Sequence, residues 1–128
     1  MEYQLLYRGL NQPKNRNRIG RWWTTSPYYA LTYKGGENGE MFVAAVAPSD
    51  LEKLAQDASI DSDIYGEFYF FGDVDPPSAR KVTPEEIKEL EARATFTQGE
   101  IGGLLMRPPE NFAEVGKKIF GKTFNSGA

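Results

Sequence analysis

The segment RWWTTSPYYALTYK, Arg21 to Lys34, decides the fold expected for this chain. Its first residues are aromatic or β-branched, which favours a strand. Ser26-Pro27 then predicts a helix start, because the serine oxygen accepts a hydrogen bond from the first turn and proline there loses no needed donor. A strand is therefore expected to run directly into a helix that stops at Gly35-Gly36.

A first strand is predicted on the amino-terminal side of this segment. Tyr3 to Arg8 alternates loosely and is bounded by Gly9, so Gln4, Leu6 and Arg8 are expected on one face. The connection from Asn11 to Arg18 carries a proline, three asparagines and three basic residues. It is predicted to be a basic loop that is either solvated or in contact with phosphate.

The middle of the chain predicts a buried strand and an acidic connection. Glu40 to Ala47 is the most apolar run and is too short for a typical helix. Ser49 is expected to cap a short helix over Asp50 to Gln56. Asp57 to Asp63 is interpreted as a solvated loop, since it lacks the glycine and terminal glutamate of an EF-hand calcium site.

The remaining elements are short strands and two helices. They are an aromatic strand at 67–71, a closing strand at 80–82, a helix from the Thr83–Glu86 capping box to about Ala94, a strand at 104–106, and a helix from Pro109 to Phe120 ending at Gly121. Short strands with helices inserted among them predict an α+β fold, arranged as a single domain over residues 1–128.

Composition excludes several kinds of chemistry. The 128 residues are 40% apolar and include no cysteine and no histidine, so disulfides, thiolate nucleophiles, zinc clusters and histidine bases are ruled out. The 15 basic and 18 acidic residues leave a net charge of −3, which disfavours a general nucleic-acid binder. With no basic leader and no apolar run near eighteen residues, a cytoplasmic protein is expected.

Several short motifs together carry a family resemblance. Tyr7-Arg8-Gly9, then Trp23-Thr24-Thr25-Ser26 with Ala30 and Tyr33, then a glutamate opening an aromatic strand, resemble the arginine–serine–glutamate type of ADP-ribosyltransferase. The resemblance covers about residues 3–83. It implies a split β-sandwich that holds NAD in a cleft as substrate, and a glycosyltransferase that modifies a macromolecule, with a protein as the expected acceptor. The family's first serine is replaced here by Thr24, which keeps the hydroxyl and adds a methyl group.

The resemblance also implies a catalytic glutamate. Breaking the nicotinamide–ribose bond develops positive charge on the ribose, so a carboxylate placed there stabilises the transition state. Two glutamates match the family pattern: Glu67, at the start of the aromatic strand, and Glu100, in Gln98-Gly99-Glu100. Glu67 follows Ser26 by 41 residues and Glu100 follows it by 74, and the shorter separation suits a compact domain better. Glu67 is therefore the predicted catalytic residue.

The other predicted site residues bind NAD, and no metal is expected. Arg8 and Gly9 would lie at the phosphates, because a guanidinium fork matches phosphate oxygens, although Arg8 also fits a structural ion pair. Thr24 would contact the nicotinamide ribose, Thr25 would brace the cleft, and Ser26 would cap the helix. Tyr33 is the favoured stacking residue, and the other aromatic candidates are Trp22, Trp23, Tyr28 and Tyr29.

Three alternatives remain open from the sequence. Gly20-Arg21-Trp22-Trp23 is similar to a segment of NAD-degrading toxin domains, with Trp23 in place of an asparagine. Exposed aromatics would instead suit a non-catalytic interaction protein, such as a small phage-type inhibitor acting on a host protein in the host cytoplasm. Nucleic-acid binding rests on one basic cluster, Lys14, Arg16, Arg18 and Arg21, in an acidic chain.

Overall fold

The computed structural model describes residues 3–11, 22–35, 38–55, 59–63, 66–70, 76, 78–98 and 104–125. Helices and strands are interspersed along these residues. In chain order the elements are β1 (Gln4–Leu10), β2 (Trp22–Thr24), α1 (Pro27–Lys34), β3 (Glu40–Val46), α2 (Pro48–Ala55), β4 (Ser59–Asp63), β5 (Gly66–Phe70), β6 (Arg80–Lys81), α3 (Pro84–Arg93), β7 (Thr95–Gln98), β8 (Leu104–Arg107) and α4 (Phe112–Asn125). The predicted α+β class is confirmed.

Six strands form one antiparallel sheet in the order β4-β5-β2-β1-β3-β6, and β7 pairs with β8 separately. At the centre, β1 pairs with β3 at seven positions, from Gln4↔Val46 to Leu10↔Glu40. By contrast, within the described residues β1 and β2 are in register at the single pair Tyr7↔Thr24. The sheet therefore has two three-stranded halves that meet at β1 and β2, and we call this boundary the seam.

Three helices cover one face of the sheet. The main core lies between this face and α1, α3 and α4, and the sheet contributes to it Leu5, Tyr7, Met41 and Val43. The helices contribute Tyr28, Ala30, Leu31, Leu90, Val115, Ile119 and Phe120. Side chains along β1 point alternately to the two faces of the sheet. Leu5 and Tyr7 are two residues apart, so both point to the side that the helices cover. We call this side the helical face.

The opposite face carries a smaller core. Its buried members are Leu6, Trp23, Ala44, Val46 and Tyr69, and Leu51 of α2 packs against them. These residues come from β1, β2, β3 and β5, so the second core extends across the seam. The predicted separation of Leu6 from Leu5 and Tyr7 is confirmed.

The helix ends follow local rules that the sequence predicts. Ser26 caps α1 by accepting a 3.3 Å hydrogen bond from the backbone N–H of Tyr29, and Gly35 ends the helix with φ 69°. At α3, Thr83 and Glu86 form the predicted reciprocal capping box. Local hydrogen bonds are enough to determine such ends, so tertiary context does not override them.

Three expectations about elements are wrong. α2 begins at Pro48, so Ser49 lies inside the helix and does not cap it. The residues Ser59–Asp63, interpreted as loop, form the edge strand β4, because pairing with β5 supplies backbone hydrogen bonds that their polar sequence does not suggest. Finally, α4 starts at Phe112 and continues through Gly121 to Asn125. The strand β7 lies in a stretch for which no element is predicted.

The described helices also bear on membrane insertion. Across the parts of the chain that the structure covers, none of them is both long and apolar enough to span a bilayer. The predicted basic loop at 11–18 lies outside the described residues except for Asn11. The nucleic-acid alternative, which rests on that loop, therefore stays a prediction.

Candidate functional site

The hydroxyl triplet lies at the junction of β2 and α1. Thr24 Oγ1 accepts a 3.1 Å hydrogen bond from the backbone N–H of Ser26, and Ser26 in turn caps α1. Thr24 is 4% exposed and Ser26 is fully buried. Thr25, between them, is half-buried and takes part in an interaction of its own. Two of the three hydroxyls thus hold the strand-to-helix turn, and Ser26 has the capping role that the sequence favours.

Arg8 and Thr24 point to opposite faces of the sheet. Residues directly opposite each other in an antiparallel pair lie on the same face, so Thr24 shares the helical face with Tyr7. Arg8, the next residue after Tyr7, faces the other way and is paired in register with Phe42. The sequence predicts one pocket that contains both Arg8 and Thr24, but the two side chains do not lie on the same face of the sheet. A ligand that lies on one face of the sheet therefore does not contact both side chains.

Gly9 lets two elements of the fold pack closely together. This role is separate from its predicted place at the cofactor. A Cβ at this position would collide with the carbonyl oxygen of Ala30 and would lie 2.6 Å from the backbone nitrogen of Lys34. The glycine thus lets α1 lie directly against β1. This close approach sets the position of α1, and with it the position of Tyr33, relative to the sheet.

The aromatic candidates separate into buried and exposed groups. Trp23 and Tyr28 are each 1% exposed and belong to the two cores. Trp22 and Tyr33 are 48% and 56% exposed, and Tyr29 is half-buried. Burial removes Trp23 and Tyr28 as stacking residues, whereas Tyr33, the favoured one, remains accessible.

The exposed rings make two groups of contacts with β5, where Phe68 is buried at 9% exposure and Phe70 is half-buried. Tyr33 lies 5.0 Å from Tyr29 between ring centroids, and Tyr29 lies 4.6 Å from Phe68 in an edge-on arrangement. Trp22 lies 5.1 Å from Phe70. Phe68 and Phe70 are the register partners of Thr24 and Trp22, so all of these strand residues share the helical face. We call Trp22, Tyr29, Tyr33, Phe68 and Phe70 the aromatic surface.

Phe68 and Phe70 are aromatic-surface residues for which the sequence alone predicts no role. A signal for them was present, because alternate residues of Trp22-Trp23-Thr24 and of Phe68-Tyr69-Phe70 must lie on the same face of adjacent strands. The sequence does not show that β2 pairs with β5. It therefore does not predict that these alternate residues lie beside each other on one face.

The structure describes the position of one of the two glutamate candidates. Glu67 lies in β5, one residue before Phe68, and its backbone pairs with Ser62 of β4. Glu100 lies outside the described residues. The choice of Glu67 as the catalytic residue stays a prediction.

Tyr7, beside Arg8 in the motif, is a core residue. Its ring lies 5.3 Å from that of Phe120, and burial raises its pKa far above the usual range for tyrosine. Its hydroxyl has no hydrogen-bond partner among the described residues. A buried phenol that does not ionise near neutral pH is unsuited to acid–base chemistry, so Tyr7 is structural.

Compared with protein-family models, with curated proteins and with solved structures, the chain matches none of them. The class that the fold defines is therefore an α+β protein with a six-stranded antiparallel sheet. Among the described residues no group of three or more acidic side chains is arranged to hold a metal ion.

Proposed function

We propose that this protein is an NAD-dependent ADP-ribosyltransferase that binds NAD along the seam and on the aromatic surface. The observation that carries the proposal is the exposure of Trp22 and Tyr33, at 48% and 56%, beside the strand-to-helix junction that holds Thr24. Large rings left this exposed are a feature of binding surfaces, since a folded chain gains by burying them. A flat pyridine or adenine ring is the ligand that such a surface suits.

The finer fold proposed is the split β-sandwich of that family. Support comes from the division of the sheet into β4-β5-β2 and β1-β3-β6, which are in register with each other at Tyr7↔Thr24. We place the proposed cleft at the seam, between these two halves.

The proposed roles are those that the family resemblance implies. Tyr33 stacks on a ring of NAD, and Arg8 reaches the pyrophosphate from the far side of the seam. Glu67 stabilises the positive charge that develops on the ribose as the bond to nicotinamide breaks. Thr24 and Ser26 hold α1, and so hold Tyr33, in place through their hydrogen bonds to the junction.

Release of nicotinamide from NAD is the direct test. The wild-type protein is expected to release nicotinamide, and Glu67→Gln to lower the rate by about a hundredfold or more, the scale found when one stabilising group is removed from an active site. Glu89→Gln, an exposed change on α3, is the matched control and should behave as the wild type. Loss of activity in Glu100→Gln, with Glu67→Gln unaffected, would move the catalytic role to Glu100.

The acceptor is a separate question. Tyr65 stands two residues before Glu67, where relatives that modify arginine carry an amide or carboxylate. Hydrolysis of NAD competes with transfer when that group is missing, so transfer of labelled ADP-ribose to protein has to be compared with release of free ADP-ribose. Label on protein supports the transferase, and free ADP-ribose alone supports the NAD-degrading alternative.

A second candidate function is a non-catalytic interaction protein. The exposure of Trp22, Tyr33 and Phe96 favours it, because aromatic side chains anchor protein interfaces. The two candidates differ in their response to NAD. A protein that neither releases nicotinamide nor binds NAD at millimolar concentration, but loses capture of a partner in Trp22→Ala, would be an interaction protein.

A further inference from the structure

A cavity of about 470 Å³ lies between α1, α3 and the two-stranded ribbon that β7 and β8 form. This volume is within the range of about 300–1,000 Å³ found for small-molecule sites. Most of the wall is apolar or aromatic, and these residues are Tyr28, Tyr29, Leu31, Phe96, Met106 and Pro108. We call this cavity the α1 pocket.

Phe96 is left open on a face of the ribbon that packs on the core at its neighbouring strand. Phe96 and Met106 lie directly opposite each other in the β7–β8 pair, so both are on the same face. Met106 is half-buried and packs against the main core, whereas Phe96 is 47% exposed. A ligand in the pocket can cover part of this ring, and such burial is favourable.

The floor of the pocket is apolar as well. Tyr28 and Leu31 are buried members of the main core. Several polar groups of the wall already have partners. The Tyr28 hydroxyl donates to the Leu90 carbonyl oxygen, and the Thr32 hydroxyl donates to the Tyr28 carbonyl oxygen. The backbone N–H of Gly35 donates to the carbonyl oxygen of Thr32. A ligand therefore gains more from apolar contact than from new hydrogen bonds.

The charges at the pocket do not favour an ion of either sign. Lys34 and Glu91 both line the cavity and carry opposite charges, so an ion that one attracts is repelled by the other. Arg93 acts on Tyr28, but its side chain is exposed, and solvent screens its charge. An ion would also lose hydration on entering an apolar cavity, a cost that an uncharged compound avoids.

We infer that the α1 pocket binds an uncharged small molecule with an aromatic ring, which packs against Phe96 above the floor of Tyr28 and Leu31. A free compound suits the site because three elements bound the cavity and its volume is that of a small-molecule site. The inference does not rest on the proposed function, since none of these three residues has a role in the proposed NAD chemistry.

The test is a titration of the wild-type chain without NAD, followed by NMR chemical shifts. Three probes carry the same ring and differ in charge at neutral pH: benzyl alcohol is uncharged, benzylammonium is positive and benzoate is negative. We expect saturable shifts at Leu31, Phe96 and Met106 with benzyl alcohol, with a Kd in the millimolar range. Each ion should bind at least about threefold more weakly. Equal or tighter binding of either ion, or no shifts with benzyl alcohol, would overturn the inference.

Two variants show which surface holds the ring. Phe96→Ala and Trp22→Ala are a matched pair, because each removes one ring of nearly equal exposure, 47% and 48%. Phe96→Ala is expected to weaken binding of benzyl alcohol by about threefold to tenfold, the scale of one aromatic contact. Trp22→Ala alters the aromatic surface and should bind as the wild type. Unchanged binding in Phe96→Ala, or an equal loss in Trp22→Ala, would refute the assignment to the α1 pocket.

A third variant fills the pocket while keeping Phe96. Thr32 is exposed and lines the cavity, so Thr32→Phe adds a ring to the wall without entering the core. We expect it to weaken binding of benzyl alcohol by at least about tenfold at an unchanged thermal midpoint. Wild-type affinity in this variant would contradict the proposed site.

A last titration tests whether the ligand is a free compound. A glycine-spaced peptide with one phenylalanine is compared with benzyl alcohol on the wild-type chain. Similar or weaker binding of the peptide supports a small-molecule site. Binding of the peptide at least about tenfold tighter, and sensitive to Phe96→Ala, would assign the pocket to a side chain of a polypeptide partner and make the small-molecule inference wrong.

Discussion

The Tyr28 hydroxyl donates a 2.8 Å hydrogen bond to the backbone carbonyl oxygen of Leu90, 62 residues further along the chain. This bond joins α1 to α3 within the main core, where Leu90 is fully buried. Burial raises the pKa of Tyr28, and the nearby positive charge of Arg93 offsets part of that rise. The neutral phenol is therefore the form that holds the two helices together.

Tyr28→Phe is expected to lower the free energy of unfolding by about 1–2 kcal/mol, because it leaves the Leu90 carbonyl without that donor while keeping the ring in place. Urea denaturation measures the difference. Tyr33→Phe, which removes a hydroxyl from an exposed tyrosine, is the control and should change stability by less than about 0.5 kcal/mol. Equal effects of the two changes would contradict the role given to the Leu90 contact.

Substitutions of Thr24 separate its structural role from any role in NAD binding. Thr24→Val removes the acceptor for the Ser26 N–H at nearly constant volume, and should cost about 1–3 kcal/mol, the penalty for an unsatisfied buried donor. Thr24→Ser keeps the acceptor and should retain most of the stability. If Thr24→Ser is stable but no longer releases nicotinamide, the methyl group matters to the site. If both variants keep the wild-type thermal midpoint, the hydrogen bond contributes nothing.

Gly9→Ala tests the close approach of α1 to β1. The new methyl group would collide with the backbone of Ala30, and backbone cannot move aside as a side chain can. We expect a loss of about 2–3 kcal/mol or more, the scale of overpacking in a tight core. In Gly35→Ala the added Cβ meets an ordinary contact of 3.5 Å to Asn11, so that change isolates the strain of a positive φ. Gly9→Ala with wild-type stability would show that the two elements can separate at little cost.

The ion pair at the start of α3 predicts a pH dependence. Arg80 donates two hydrogen bonds of 3.0 and 2.9 Å to the Glu86 carboxylate. Burial pushes the pKa of Glu86 upward, but the bonds from Arg80 and Thr83 and the charge of Arg80 outweigh it and hold the pKa below its ordinary value. A lowered folded-state pKa stabilises the protein above the unfolded-state value, and this stabilisation is lost as the pH falls through the folded-state pKa.

Glu86→Gln is therefore expected to cost about 1–2 kcal/mol at pH 7, since it removes a bidentate charge-assisted pair while glutamine can still complete the capping box. The difference between this variant and the wild type should shrink as the pH is lowered from about 5 to about 3. Urea titrations at several pH values measure it, with Glu89→Gln as the exposed control. A difference that stays constant down to pH 3 would mean that the charge of Glu86 is not what stabilises α3.

These contacts differ in how far the sequence anticipates them. The caps at Ser26 and Thr83 depend on residues three positions apart, so reading the chain locates them correctly. The edge strand β4 was missed because its backbone hydrogen bonds come from β5, and its residues Ser59–Asp63 have the composition of a loop. Helix caps depend on neighbouring residues and can be predicted from the sequence, whereas strand pairing depends on a partner elsewhere in the chain.

The candidate site shows the same division. The sequence by itself determined the α+β class, the strand-to-helix junction at Thr24 to Pro27, and the exclusion of thiol and histidine chemistry, since each follows from composition or from neighbouring residues. Only the tertiary structure decided that Arg8 and Thr24 face opposite sides of the sheet. The physical reason is that side-chain direction in a strand alternates residue by residue, so which residues meet depends on the register between strands, and register is set by packing across the whole sheet.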